Sequence, residues 1–476
     1  MLPVQHFPFI GNQYRTQVSG LDLLVYHKYT NELLARIPQI DLSQVEEAIA
    51  STISGFQEMR KLDISERAAI LQKTRDLLDE RKEEFIQLIV AEAGKPISFA
   101  RQELERCLLT IDAGIREVWQ SNSEQIPMNA GSGKGKIAFT QQFPTGPVLG
   151  ISPFNFPLNL ALHKIVPALS VGTSILLKAP PQAPLSVLSL AGLIAEAGAP
   201  AGAVNVIVCD IPVAEKLVSD PRFSVLSFTG SARIGWHLKQ IAGNKKVLLE
   251  LGGNAPAIVD ETADLAEAAR QIARGAFLYA GQICISTQRI YIVESVADEF
   301  RDLLLSETSR IRSGDPSDEY TINGPLIDAQ AIQRIQEWLQ EANRSGAEIL
   351  AGGNLIDAEC RIFSPTIITR TSPEMKLVKE EVFGPIAIFE TIRNLEQGVD
   401  LANASEYGLQ CGVFSNHLER IKYAYQKLEF GAVIINNAPG FRVDQMPYGG
   451  IKESGLGREG IRYAMEAFTE KKLLVF

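Results

Sequence analysis

Cysteine is scarce in this chain, and no two cysteines stand close together. Cys107, Cys209, Cys284, Cys360 and Cys411 make five in 476 residues. An odd, scattered set speaks against a disulfide framework and against a Cys-x-x-Cys metal site, and a reducing compartment is its natural setting. The five histidines form no cluster able to gather a metal ion. No apolar run approaches the about 18 uninterrupted residues of a membrane span. The start, Met1-Leu2-Pro3-Val4-Gln5-His6, lacks the basic-then-apolar order of a secretory signal. Basic excess is missing too. The formal net charge is −10, which speaks against nucleic acid or an anionic membrane as the main partner. There is no repeat of fixed period and no low-complexity run. What remains is 46% hydrophobic and 21% charged, as in an ordinary soluble enzyme. A cytoplasmic protein of roughly two to four domain-sized units is expected.

To about residue 120 the pattern reads as two short strands followed by helices. One helix starts over Leu42–Ile49 with Asp41 or Ser43 as cap, and helical spacing recurs over Ser65–Ala91 and Ile97–Gln120. Residues 121–135 are small and polar, and predict a turn or hairpin outside the core. From residue 147 short apolar runs recur: Pro147–Ser152, Ser174–Lys178, Val204–Val208, Val225–Phe228 and Lys246–Leu251, with helical patterns such as Leu185–Ala197 and Ala232–Ala242 between them. That alternation predicts βαβ units on a parallel sheet. The rhythm restarts with Pro256–Val259, Arg289–Val293, Glu348–Leu350, Pro385–Phe389, Gly412–Phe414 and Ala432–Asn436, which predicts a second α/β domain. The apolar tail Lys472–Phe476 needs a sheet to join. The excursion near 121–141 is its candidate partner, within the chain or across a subunit boundary.

Parallel sheets bind ligands at the carboxyl ends of their strands. Asn155, Lys178, Gly230, Ser231 and Glu250 all fall there. Glu250 closes the run Val247-Leu248-Leu249, so partial desolvation should raise its pKa and suit it to general-base work. An exposed strand-end glutamate is the ordinary alternative. Leu251-Gly252-Gly253 follows, and the paired glycines let backbone pass close to a ligand. Cys284 lies in the loop Gly281-Gln282-Ile283-Cys284, where a thiol can serve as nucleophile, although most free cysteines are small buried apolar residues. Asn155 stands in Pro153-Phe154-Asn155-Phe156-Pro157. It is either a turn residue or an amide donor to a developing oxyanion. Gly230-Ser231 opens a helix after a strand, a phosphate-binding arrangement that lacks the Gly-x-Gly-x-x-Gly fingerprint.

As a set, these segments resemble the aldehyde dehydrogenase superfamily of NAD(P)-dependent enzymes. Lys178, Phe228-Thr229-Gly230-Ser231, Glu381-Val382-Phe383-Gly384-Pro385 and Pro447-Tyr448-Gly449-Gly450-Ile451-Lys452 complete the pattern in the family's order. The resemblance implies two doubly wound α/β parallel-sheet domains and a small β oligomerisation arm. Carried onto this chain, a cofactor domain takes 1–120 and 142–250, a catalytic domain 251–434, and the arm with the C-terminal segment 121–141 and 435–476. It implies Cys284 as nucleophile, Glu250 as general base and Asn155 as oxyanion donor. Lys178 would hold the adenosine ribose, Ser231 with Gly230 the pyrophosphate, Glu381 the nicotinamide ribose, and Phe383 would pack near the nicotinamide. Leu251 and Gly252 join this cofactor set. Homodimers or homotetramers are usual, and no metal is needed.

Many NAD-preferring members carry a glutamate three residues after the lysine. Here that position is Pro181, which leaves NAD and NADP both open as cofactor. Phe441-Arg442-Val443-Asp444-x-Met446-Pro447 resembles the branch of lactaldehyde, non-phosphorylating glyceraldehyde-3-phosphate and phosphonoacetaldehyde dehydrogenases, so a small, often anionic aldehyde is implied. Phe156, Arg106 and Arg442 are the candidates on the substrate side. The two arginines are alternatively structural, paired with Glu103, Glu105 or Asp444. Two other readings of the whole chain are a CoA-acylating dehydrogenase and a non-catalytic scaffold. Retention of Glu250 speaks against the first, and retention of the catalytic trio against the second.

Overall fold

The computed structural model describes residues 6–16, 20–120 and 123–476. The reading of Met1–Gln5 and the first two residues of the 121–141 excursion therefore lie outside the described residues. Two parallel-cored sheets dominate. The first has eight strands. Its centre runs Val204–Ile207, Ile175–Lys178, Val148–Ile151, Val225–Thr229 and Lys246–Glu250, every neighbouring pair parallel. The short strands Phe9–Ile10 and Gly455–Leu456 close its two sides antiparallel, with Gln13–Tyr14 outermost beyond the first. Strands covered on both faces must be apolar throughout, which is why these runs could be read from the sequence.

The helix Pro157–Val171 lies buried against this sheet, with almost no exposed residue. Pro157 opens it and Gly172 ends it in the left-handed conformation, φ 82°. The second sheet has seven strands in the order Glu348–Ala351, Thr366–Thr369, Ile386–Ile392, Arg289–Val293, Pro256–Val259, Gln410–Phe414, Ala432–Ile435. Only its first pair is antiparallel.

The tail strand Thr469–Val475 pairs antiparallel with Ala138–Pro144 over its full length, Thr469 opposite Pro144 and Val475 opposite Ala138. The partner is in the same chain. Three details depart from the sequence reading, and a fourth adds to it. The N-terminal stretch holds four strands, two of them a separate hairpin, Asp22–Tyr26 with Leu33–Pro38. The first helix begins only at Val45, without a side-chain cap, and Asp41 instead accepts a hydrogen bond from the Ser43 backbone at 2.9 Å. The helical run over 65–91 is two helices, Ile64–Glu80 and Lys82–Ala93, meeting at Arg81. Finally, the segment after 435 does more than build an arm: it supplies Gly455–Leu456 to the first sheet, and its helix Ile461–Ala467 packs on Pro157–Val171 and Ile97–Val118. Among the described residues, no helix is long and apolar enough to cross a membrane.

Candidate active site

Register brings the first half of the site together. Lys178 lies beside Ile151, Ile151 beside Phe228, and Thr229 beside Glu250, so four adjacent strands end on one rim. The second half arrives differently. Cys284 and Glu381 precede the strands Arg289–Val293 and Ile386–Ile392, so they enter from amino-terminal loops of the second sheet. A cavity of about 200 Å³ between these elements is lined by Asn155, Phe156, Glu250, Leu251 and Cys284, with Arg106 and Arg442 in its wall. Glu381 and Phe383 line a smaller adjoining cavity. Pro181 borders a separate open one with Lys28 and Arg361.

The loop that presents Cys284 is unusual backbone. Tyr279, Ala280 and Gly281 have φ of 51°, 54° and 67°, a left-handed run that costs about 1–2 kcal/mol for each residue with a side chain. Buried contacts over-determine it. The Gln282 side chain donates to the carbonyls of Tyr279 and Pro325 at 3.2 and 3.1 Å and accepts from the Ile327 N–H at 2.9 Å. The Tyr279 hydroxyl donates to the Ala93 carbonyl at 2.7 Å. The Asn155 amide donates to the Gln282 carbonyl at 2.9 Å, which fixes its orientation and leaves its second hydrogen without an acceptor among the described residues. Cys284 is half-buried, and its Sγ lies 3.0 Å from the Tyr448 hydroxyl. Burial pushes the thiol up to about 12, while the Tyr448 hydrogen bond pulls it back down.

Glu250 is 3% exposed, and its Oε2 has no hydrogen-bond partner among the described residues. Burial, followed by the nearby Glu459 carboxylate, raises its pKa well above the ordinary value. For Glu459 burial works in the same sense, but Lys164, His163 and Arg442 outweigh it and hold Glu459 ionised. Lys164 donates to Glu459 Oε1 at 2.9 Å and to Thr229 Oγ1 at 2.7 Å. Two buried carboxylates are thus pushed apart in proton affinity, a pattern typical of acid–base pairs. Neither Lys164 nor Glu459 was singled out from the sequence. A lysine inside the largely apolar, almost wholly buried helix Pro157–Val171 was the available signal. Glu459, behind Gly457-Arg458, carried none.

The two arginines differ. Arg106 is committed: Nε and one Nη donate to the two oxygens of Asp444 at 3.0 and 2.7 Å. Burial opposes ionisation of Asp444, but His163 and Arg106 hold it well below the usual carboxylate range. Arg442 is nearly buried, with its side chain 7% exposed. Its Nε and one Nη have no hydrogen-bond partner, its nearest carboxylate oxygen is Glu459 Oε2 at 3.7 Å, and its guanidinium lies 3.6 Å over the Tyr448 ring.

The remaining residues are the candidates for holding a dinucleotide. A Cβ on Gly252 would meet Glu381 Oε2 at 2.2 Å, so glycine there gives the carboxylate room to lie against the chain. Glu381 Oε1 accepts from the Gly253 N–H at 3.2 Å, and burial lifts Glu381 to about 7. Phe383 is held at φ 46° with its ring edge-on to Phe154 at 5.8 Å. Lys178, half-buried at its strand end, reaches the Ala179 carbonyl at 3.4 Å. Ser231 heads the helix Ala232–Ile241 without capping it through its side chain, so first-turn N–H groups stay open to an anion. The N–H groups of Gly230 and Leu251 are not among the open donors: they donate to the carbonyls of Glu250 and Ser454, each at 3.0 Å. Gly230 therefore offers room for close approach rather than a donor.

Residues 16–474 match the aldehyde dehydrogenase family. The chain is 37% identical over 473 residues to a 3-sulfolactaldehyde dehydrogenase of Priestia aryabhattai, covering 99% of this chain and 98% of the relative. In structure it is similar to aldehyde dehydrogenase 21 from Physcomitrella patens in complex with the reaction product succinate, with a TM-score of 0.96, 36% identity, and coverage of 100% and 99%. It is also similar to a glyceraldehyde-3-phosphate dehydrogenase from Methanocaldococcus jannaschii complexed with NADP, with a TM-score of 0.91, 36% identity, and coverage of 97% and 100%. The chain belongs to the aldehyde dehydrogenase family and is an NAD(P)-dependent enzyme that oxidises an aldehyde to the carboxylic acid.

Proposed function

We propose that the substrate is a small aldehyde bearing an anionic group, and that it is oxidised through a covalent thioester on Cys284. The observation that carries the substrate class is Arg442, a nearly buried guanidinium in the cavity wall with two nitrogens lacking partners. A buried donor left unpaired is costly, and a carboxylate or sulfonate presenting two oxygens to the planar guanidinium restores its bonds two at a time. Arg442 also stacks on Tyr448, whose hydroxyl touches the nucleophile, so an anion held there keeps the aldehyde within reach of the sulfur. The sulfonate implied by the name of one relative and the succinate bound in another support this class. Arg106 lines the same cavity with two donors already given to Asp444, and contributes less.

In this reading the Cys284 thiolate attacks the carbonyl carbon. The free amide hydrogen of Asn155 donates to the oxyanion, a contact worth about 3–4 kcal/mol at the transition state. Lys178, Ser231, Glu381 and Phe383 hold NAD or NADP, which accepts hydride when bound. Glu250 then takes a proton from water as the water attacks the thioester, with Glu459 and Lys164 setting its charge state. Exposed Leu473, Leu474, Val475 and Phe476 on the tail strand and its end support assembly through the arm as a homodimer or homotetramer. All five cysteines are unpaired, which supports a reducing, cytoplasmic setting.

The test is a panel of matched aldehydes, with and without CoA, followed by reduced-nicotinamide absorbance. Arg442→Met should raise KM for a carboxylate- or sulfonate-bearing aldehyde at least tenfold, while a neutral aldehyde of similar size is little affected. Arg106→Ala should discriminate less. Equal losses on both substrate types would return Arg442 to a structural role, and a requirement for CoA would replace water as the acyl acceptor.

A further inference from the structure

Tyr448 has a hydroxyl that packing does not require. Its side chain is buried with Ile285 and Leu409, and a phenylalanine would fill that space equally well. Its backbone is fixed independently, because the Tyr448 and Glu459 N–H groups donate to each other's carbonyls at 3.0 and 2.6 Å. A buried phenol ordinarily finds a hydrogen-bond partner among neutral oxygens or water. The partner here is Cys284 Sγ, at 3.0 Å.

The charged and titratable groups that act on this sulfur are Glu381, Arg442 and Glu250. While the sulfur keeps its proton, either atom can donate. Once the proton is lost the sulfur has only lone pairs, and the hydroxyl must donate. The contact is therefore stronger to the ionised form than to the neutral one. Arg442, face-on over the ring at 3.6 Å, draws electron density toward itself and makes the phenol a better donor.

We infer that Tyr448 is a catalytic residue of the oxidation: its hydroxyl donates to Cys284 Sγ, stabilises the thiolate and holds it in one orientation for attack. This rests on Cys284 being the nucleophile. Burial alone would leave the sulfur almost wholly protonated near neutrality, and the Tyr448 hydrogen bond works against that burial by direct contact.

The test is Tyr448→Phe, which removes one oxygen and keeps the ring under Arg442. Alkylation of the cofactor-free protein by iodoacetamide is followed from pH 6 to 10, with Cys284 read separately from the other thiols by peptide mass spectrometry. The expected result is a midpoint moved to higher pH and a rate at pH 7 at least tenfold lower, the scale of a hydrogen bond to a charged group. The rate of the first burst of reduced cofactor should fall in parallel, with KM for the aldehyde nearly unchanged. Thermal unfolding and NADP binding should match wild type, as they would not if the packing had failed. An unchanged midpoint and rate would overturn the inference, and so would faster alkylation, which would mean that the hydroxyl holds the thiol protonated. Cys284→Ala separates the two levels. Oxidation surviving in that variant removes the nucleophile itself, whereas a dead Cys284→Ala beside a normal Tyr448→Phe removes only Tyr448.

Discussion

Glu250→Gln keeps the shape of the side chain and removes its ability to take a proton. Glu250 is 3% exposed with Oε2 unpartnered, so the protein supplies no substitute bond and the carboxylate is left to act on water. A positioned general base contributes about 10²–10⁴-fold, and that is the expected loss in steady-state turnover. Formation of the thioester does not use this base. Stopped-flow absorbance should therefore show close to one equivalent of reduced cofactor per site, followed by a stall, and mass spectrometry should find the acyl group on Cys284. The same substitution has a consequence for stability, and its sign can be worked out. Unfolded glutamate ionises near pH 4.3, whereas folded Glu250 keeps its proton to higher pH. The folded state therefore loses ground as pH rises from the unfolded pKa to the folded one, and glutamine carries no such penalty. At pH 8 the Gln variant should unfold at a higher temperature than wild type, with the difference shrinking toward pH 4. Unimpaired steady-state turnover, or a stall with no burst, would refute the assignment; a lower melting temperature at pH 8 would refute the electrostatic reasoning.

Three further outcomes follow from the site. Cys284→Ala should abolish aldehyde oxidation while retaining NADP binding, measured by nucleotide fluorescence quenching. Wild type should turn over with NADP, and Pro181→Glu should lower kcat/KM for NADP relative to NAD by about tenfold through like-charge repulsion; complete inactivity of the wild type at saturating NADP would contradict this. Gly252→Ala forces a methyl against Glu381 Oε2 and should weaken cofactor binding about tenfold or more, as expected for overpacking of about 1–3 kcal/mol, and isothermal titration would register it.

Legibility in the sequence followed burial. The runs at 147–251 were readable because strands covered on both faces have nowhere to place a polar residue. The hairpin Asp22–Tyr26 with Leu33–Pro38 is largely exposed on one face, so its signal was diluted. Thr366–Thr369 is buried, but its polar ends and four-residue length hid it. The break at Arg81 has no glycine or proline to announce it. Motif residues were visible because chemistry confines them to particular types. Their partners were less so: Asp444 was only one of three carboxylates open to Arg106, which lies 338 positions away, and Lys164 and Glu459 are 295 apart with nothing local to connect them.

The pairings of residues 455–456 with the first sheet and 469–475 with Ala138–Pro144 bear on how the molecule is made. The strand beside Lys246–Glu250 and the partner of the arm are both translated long after the segments they complete. Until then the Lys246–Glu250 edge and the Ala138–Pro144 ribbon present unpaired backbone, the usual template for wrong association. The chain therefore spends most of its synthesis with its cofactor half unfinished. Closing loops of such length slows folding more than it costs stability. Refolding yield should accordingly depend on protein concentration far more than the melting temperature does, and changes within 455–475 should show first as aggregation during expression rather than as altered kinetics of the purified enzyme.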